Sequence, residues 1–356
     1  MALLDLDSFD GYATANLTEM WTSTSALTTA ITVDSGSGRR SGNSLKFAIQ
    51  SFSDARGAVY KTLAPSGAGI VLGFAFKVSA APGSNGIGLV TILDGSTAQW
   101  SLCLTSDLKL TLRRGDQTGT ILQTSGITGI STGVYAHVQV KLTLGTGTSG
   151  SFDVRVNNSS VFAGGVSSVN TAGAGTTTWS QVALGNHAGL GTSSNAIVLN
   201  IDDWVICDQS GSAFNTWLGD LRVDVRPVTG AGSSAQFAPS TGSNYQNVDD
   251  AAPNGDTDYN ASTNAGDIDL FTIADAPVVG AGVLAFKVST YRKKSDAGTC
   301  TDAVVVRHAG TNYVGTTQSP STSYSYGQNL YTANPAGGAL TESDFNAFEI
   351  GYKKVS

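Results

Sequence analysis

Strict alternation of apolar and polar side chains recurs along this chain and leaves little choice of secondary structure. Ile70, Leu72, Phe74, Phe76 and Val78 are interleaved with Val71, Gly73, Ala75 and Lys77. Strand side chains alternate sides, so such a stretch presents one apolar face to a core and one small or polar face away from it. Val134, Ala136, Val138, Val140, Leu142 and Leu144 repeat the pattern opposite Tyr135, His137, Gln139, Lys141 and Thr143. Shorter versions run through Leu45 to Ile49, Trp100 to Leu104, Leu108 to Leu112 and Phe152 to Val156. Asp94-Gly95 and Asn157-Asn158 fall between them as tight-turn formers. No stretch carries a convincing helical repeat, and 43 glycines with only 13% charged residues favour short strands and tight turns over amphipathic helices. The expected fold class is all-β, built as two antiparallel β-sandwich domains.

Two domains suit 356 residues. The first is expected over residues 1–210, a connecting segment over 211–235, where Gly and Ser accumulate, and a second, smaller sandwich over 236–356. A turn or single helical turn is expected from Gly211 to Leu218, then a short strand through Leu221, Val223 and Val225. The stretch Asn200–Asp208 reads as the closing strand of the first sandwich. Simple alternation sends Ile201, Asp203, Val205 and Cys207 to one face and Asp202, Trp204, Ile206 and Asp208 to the other, so the adjacent carboxylates diverge.

Several function classes are disfavoured at once. A net charge of −7 argues against a nucleic-acid partner, and Arg292-Lys293-Lys294 reads as a solvated strand end. No apolar run of ~20 residues predicts membrane insertion. The start Met1-Ala-Leu-Leu-Asp-Leu-Asp lacks the basic and apolar regions of a signal peptide, which predicts synthesis in the cytoplasm. Cys103, Cys207 and Cys300 have neither zinc-site nor disulfide spacing, so buried free thiols are expected.

Catalytic constellations are hard to assemble from the sequence. His137 and His187 have no nucleophile-elbow context, and His308 alternates within a strand. Only three glutamates are present, Glu19, Glu342 and Glu349, which speaks against a two-carboxylate glycan hydrolase. The chain is therefore expected not to be an enzyme and to need no cofactor, with one exception considered. Calcium suits oxygen-rich loops, and Asp256, Asp258, Asp267 and Asp269 are its candidate ligands, although they lack the DxDxDG pattern and turn chemistry explains them equally. Trp217, Tyr259, Tyr313 and Tyr324 are the candidate ligand-binding aromatics, as loop platforms for sugar rings.

Phe9-Asp-Gly-Tyr, Gly42-Asn-Ser-Leu-Lys-Phe, Gly73-Phe-Ala-Phe-Lys-Val and Asn200-Ile-Asp-Asp-Trp together resemble a laminin-G or concanavalin A-like jelly roll. With Trp217-Leu-Gly-Asp-Leu-Arg-Val, Gly242-Ser-Asn-Tyr-Gln-Asn-Val-Asp-Asp and the run from Asn334 to Gly351, the whole chain resembles structural proteins of tailed bacteriophages. That resemblance implies a non-enzymatic virion component of the tail, fibre, spike or capsid-decoration type. It further implies virion localisation, other virion proteins as partners, a homo-oligomer such as a trimer, and a contribution to host attachment. The alternative is a carbohydrate-binding adhesin recognising host surface glycans.

Overall fold

The computed structural model describes residues 3–27, 29–50, 56–188 and 196–356, which separate into two compact units. One comprises residues 1–10 and 14–223; the other comprises residues 11–13 and 224–356. Strand accounts for 45% of the described residues and helix for 5%, and the all-β expectation holds: the sheets are antiparallel, and the first unit is a jelly-roll β-sandwich. No helix among the described residues is long and apolar enough to cross a membrane.

In the first unit, the larger sheet places Gly150–Val156, Ala136–Thr143, Gly69–Val78, Ile197–Cys207, Asn43–Ile49 and Ala30–Ser35 side by side. Leu3–Asp7 also pairs with Ile197–Cys207, joining the start of the unit to its last strand. The opposing sheet runs Thr120–Thr124, Leu110–Arg114, Thr97–Leu104, Ile87–Asp94, Gln181–Asn186, Gly57–Thr62 and Ser23–Ala26. Alternation explains the layers. Ile70, Leu72, Phe74, Phe76 and Val78 are buried together with Leu45, Phe47, Ile49, Val138, Val140 and Leu142. Phe9, Trp21, Trp204 and Phe74 form a run of ring contacts with centroids 6.1 to 6.3 Å apart. Trp21 Nε1 donates to Asp7 Oδ2 at 3.0 Å, which removes the cost of burying the indole N–H at that end of the run. At the Asp94-Gly95 turn Gly95 takes φ 58°, the left-handed region that a tight hairpin requires.

The closing strand departs from simple alternation. Ile197, Leu199 and Ile201 are buried, and Asp202 pairs with Ala75, but pairing resumes only at Val205 with Gly73. This is a β-bulge with Asp203 at φ 53°, a conformation that Asp tolerates better than most side chains. The extra residue reverses the parity, so Trp204 and Ile206 take the side occupied by Ile201. Asp202 and Asp203 therefore converge on one partner instead of diverging, which corrects the sequence expectation. Asp202 Oδ2 accepts from the Arg39 backbone N–H at 2.6 Å, and Asp203 Oδ2 lies 3.2 Å from the Arg39 guanidinium.

In the second unit a five-stranded sheet runs Val228–Ala235, Ile268–Ile273, Glu349–Lys354, Asp302–His308 and Thr311–Val314. Phe286–Arg292 pairs with Ser325–Tyr331 as a second layer, and the core between the layers joins Phe286 and Val288 with Val304, Val306, Phe345 and Phe348. Glu342–Asn346 is a short helix whose N-cap Thr341 accepts from Asp344 N–H, where a single helical turn is expected from Thr341 to Asn346. Residues 211–235, expected as the connecting segment, divide between the units. Residues 211–223 belong to the first unit and form no helix or strand, so the helical turn and the short strand expected there are absent, whereas Val228–Ala235 is a strand of the second.

Candidate functional site

On the opposing sheet of the first unit, the face turned away from the main core is lined by small and polar residues. Tyr60 pairs across the sheet with Ala183, Ala183 with Thr91, Thr91 with Ser101, and Ser101 with Arg113. Thr91, Ser101 and Gln99 are all buried, because loop residues lie over them. Gln117 Nε2 donates to Thr91 Oγ1 at 2.9 Å, Ser101 Oγ donates to the Gly115 carbonyl at 2.8 Å, and Gln99 Nε2 donates to the Thr178 carbonyl at 2.8 Å. At the Tyr60 end the same face remains half-buried. Gly57–Thr62 delivers Tyr60 there, and the end of Gln181–Asn186 delivers His187.

Tyr60 and His187 meet directly. The phenol oxygen and His187 Nδ1 are 2.8 Å apart, with the rings edge-to-face at 5.6 Å. Burial pulls the His187 imidazole below its ordinary pKa; Asp116 acts the other way and Arg56 reinforces the drop. Burial raises the Tyr60 phenol, with the Ser25 hydroxyl and Arg56 opposing. At neutral pH the pair is thus an uncharged imidazole bonded to an uncharged phenol, next to an exposed arginine. Gln117 braces it, because its Oε1 accepts from the Ala188 N–H at 2.6 Å while its amide nitrogen is held on Thr91. One acid and one base in hydrogen-bond contact, near a cation, form an arrangement suited to moving a proton on a bound anion.

The candidates from sequence are distributed differently. Trp217 lies in residues 211–223, and the Arg155 guanidinium sits 4.1 Å from its ring centre. Tyr324 stacks on Tyr291 at 4.9 Å and 9°, and the Lys293 ammonium is 4.5 Å from its ring centre, so neighbours already occupy the ring. Tyr259 is 44% exposed, and Tyr313 is half-buried on the edge strand Thr311–Val314. The four aspartates each meet separate partners. Asp256 pairs with Lys293 at 2.7 Å, Asp258 accepts from Asn254 at 2.7 Å, and Asp267 accepts from Ser262 at 2.5 Å. Asp269 is fully buried and accepts from Gln236 N–H, Phe237 N–H and Asn244 Nδ2. Among the described residues no group of three or more His, Cys, Asp or Glu converges as a metal site would.

Sequence reasoning passes over Tyr60 because Gly57–Thr62 has too few alternating positions to register as a strand, and it sets His187 aside for want of a nucleophile-elbow context, with its phenol partner out of view. That partner is 127 positions away.

No family model matches the chain, and no curated protein does. Solved structures match the fold. A cellulose-induced protein is 18% identical at a TM-score of 0.41, covering 55% of this chain and 92% of its own. An endo-β-1,4-glucuronan lyase from the fungus Trichoderma reesei is 13% identical at 0.40, covering 56% and 93%. An alginate lyase from a Chlorella virus is 11% identical at 0.40, covering 58% and 99%. These are likenesses of fold. They are named as polysaccharide lyases and a cellulose-induced protein where the sequence resemblance implies a virion structural component, and the expectations of a phage structural role and of a non-enzymatic chain are both withdrawn.

Proposed function

We propose that the first unit is a glycan-processing sandwich that holds a carboxylated polysaccharide against the outer face of its seven-stranded sheet, with His187 and Tyr60 as the proton-transfer pair. The observation that carries this reading is the 2.8 Å contact between an imidazole kept neutral by burial and a phenol, on a half-buried face beside Arg56. A neutral base can remove the weakly acidic proton next to a sugar carboxylate when a cation offsets the charge that develops there. In this scheme the C5 proton passes to His187 and its electron pair becomes the C4–C5 double bond. The bond from C4 to the glycosidic oxygen breaks, and the departing oxygen takes a proton from Tyr60. Arg56 supplies the positive charge facing the carboxylate.

The test offers the purified chain alginate, glucuronan and a neutral β-glucan, reading unsaturated product by ultraviolet absorbance and binding by affinity electrophoresis. The expected result is turnover of a carboxylated polymer only, reduced by about 10²-fold or more in Tyr60→Phe and His187→Gln with binding retained. Turnover that survives both substitutions removes the pair from the chemistry. Absence of both binding and turnover across the panel overturns the reading.

A further inference from the structure

The larger sheet of the first unit also has an outer face, and the chain covers it with its own residues 211–223. Gly73 and Ala75 form a low floor in the middle of the sheet, flanked by His137 and Gln139 from Ala136–Thr143, Arg155 from Gly150–Val156, and the Asp202–Asp203 bulge. Gln139 Oε1 accepts from the Leu218 N–H at 3.1 Å and the Gly219 N–H at 2.9 Å. Asp203 Oδ1 accepts from the Val223 N–H at 2.8 Å, and Arg155 lies against the Trp217 ring. The Asp220 carboxylate receives both terminal nitrogens of Arg39, at 2.5 and 2.8 Å, with Arg40 at 3.6 Å.

Two features set this cover apart from ordinary packing. Residues 211–223 form no helix or strand, and several of their contacts to the sheet run through side chains; such a segment opens at low free-energy cost compared with the sheet beneath it. Beneath it His137 is 1% exposed, and neither ring nitrogen has a hydrogen-bond partner. Its Nδ1 is 3.9 Å from Asp220 Oδ1, outside hydrogen-bond reach. An orphaned imidazole under a removable cover, next to an arginine already holding a carboxylate, has the form of a site filled by a stand-in.

We infer that residues 211–223 are a releasable strap, and that Asp220 occupies as an internal carboxylate an anion site formed by Arg39, Arg40 and His137, which a carboxylated sugar takes when the strap lifts. The site is separate from the Tyr60–His187 pair, being on the other sheet. It rests on the proposed function only for the identity of its ligand.

The experiment compares the full chain with Asp220→Asn and with Trp217→Ala, which removes the Arg155 contact and leaves the charged cluster intact. Hydrogen exchange is read at the Leu218, Gly219 and Val223 amides, and binding is titrated with an oligoglucuronate and its carboxyl-reduced counterpart. The expected result is exchange at those amides about tenfold faster or more in both variants. Oligoglucuronate affinity should rise about tenfold in Asp220→Asn, be lost on adding Arg39→Gln, and be absent for the reduced sugar. Amides as slow in both variants as in the parent overturn the proposal, as does a strap that opens without gaining carboxylate binding. Equal binding by parent and Asp220→Asn, insensitive to Arg39→Gln, places the sugar elsewhere; it overturns the strap site and leaves the Tyr60–His187 reading standing. Tighter, Arg39-dependent binding without cleavage of any polymer does the reverse.

Discussion

Replacing Asp202 with Asn should make the stability of the first unit respond to pH in a way that can be worked out beforehand. Asp202 is 4% exposed, and burial, with the like charge of Asp203 adding to it, pushes its pKa from 3.8 up to about 7. A raised folded-state pKa means that the native chain binds this proton more tightly than the unfolded chain. The stabilisation is complete below the unfolded value and is lost as pH rises through about 7. Between pH ~4.5 and ~8 that is about 2.5 units at about 1.4 kcal/mol each, so the parent should lose about 3 kcal/mol relative to the variant. The amide can still accept from the Arg39 N–H, but its nitrogen then faces the Asp203 N–H that Oδ1 now receives at 2.7 Å, a loss of about 1 kcal/mol at either pH. The variant should therefore be the weaker protein at pH ~4.5 and the stronger at pH ~8. Urea unfolding followed by tryptophan fluorescence reads this directly, because all five tryptophans lie in the first unit. Two curves that keep a constant separation within about 0.5 kcal/mol across the range would refute the account of Asp202 as a carboxyl protonated by burial.

Other outcomes follow from the same structure. Burial depresses His137 from 6.5 to about 4, so the folded state resists protonation and weakens as pH falls below 6.5. In the same urea assay His137→Phe should lose about 2 kcal/mol less than the parent on going from pH ~8 to ~5. Cys103 and Cys207 are buried, with thiols pushed up to about 12, and Cys300 is half-buried. A thiol reagent at pH ~8 should label Cys300 first in the native chain and all three cysteines only after unfolding. Trp204→Ala removes a fully buried ring in contact with Trp21 and Phe74, and should cost about 3–5 kcal/mol by denaturant titration.

Period-two alternation made the layers legible, because a strand between a core and a polar face has no other way to distribute its side chains. Ile70 to Val78 and Val134 to Leu144 can be placed from sequence alone. The bulge shows where such reasoning fails. Ile201 sits opposite Phe76 and Leu199 opposite Val78, whereas past the bulge it is Ile206 that sits opposite Leu72, and a strand can change parity in this way only by inserting a residue; Val205 and Cys207 are buried as well, so apolar character alone does not mark the switch. Read as one uninterrupted alternation, the same residues separate Asp202 from Asp203 and conceal their convergence on Arg39. The Tyr60–His187 pair is invisible for a different reason. It depends on Gly57–Thr62 and Gln181–Asn186 being neighbours in a sheet, a long-range pairing that no local pattern encodes. Residues 211–223 mislead in another way: the alternation of Leu221 and Val223 reads as a strand, yet the backbone there joins no sheet and is held by single contacts such as Val223 N–H to Asp203.

The pairing of Leu3–Asp7 with the closing strand has a consequence for how the chain is made. Leu3 is partnered by Cys207 and Asp7 by Trp204, so this strand cannot take its place until some 200 later residues have been made. At ~5–20 residues per second the wait is on the order of 10–40 s. During that interval Leu3 has no sheet to join, and the indole of Trp21 lacks the Trp204 ring that it later meets. A nascent chain stalled short of the closing strand should therefore be captured by holdase chaperones, and release should coincide with the emergence of Trp204.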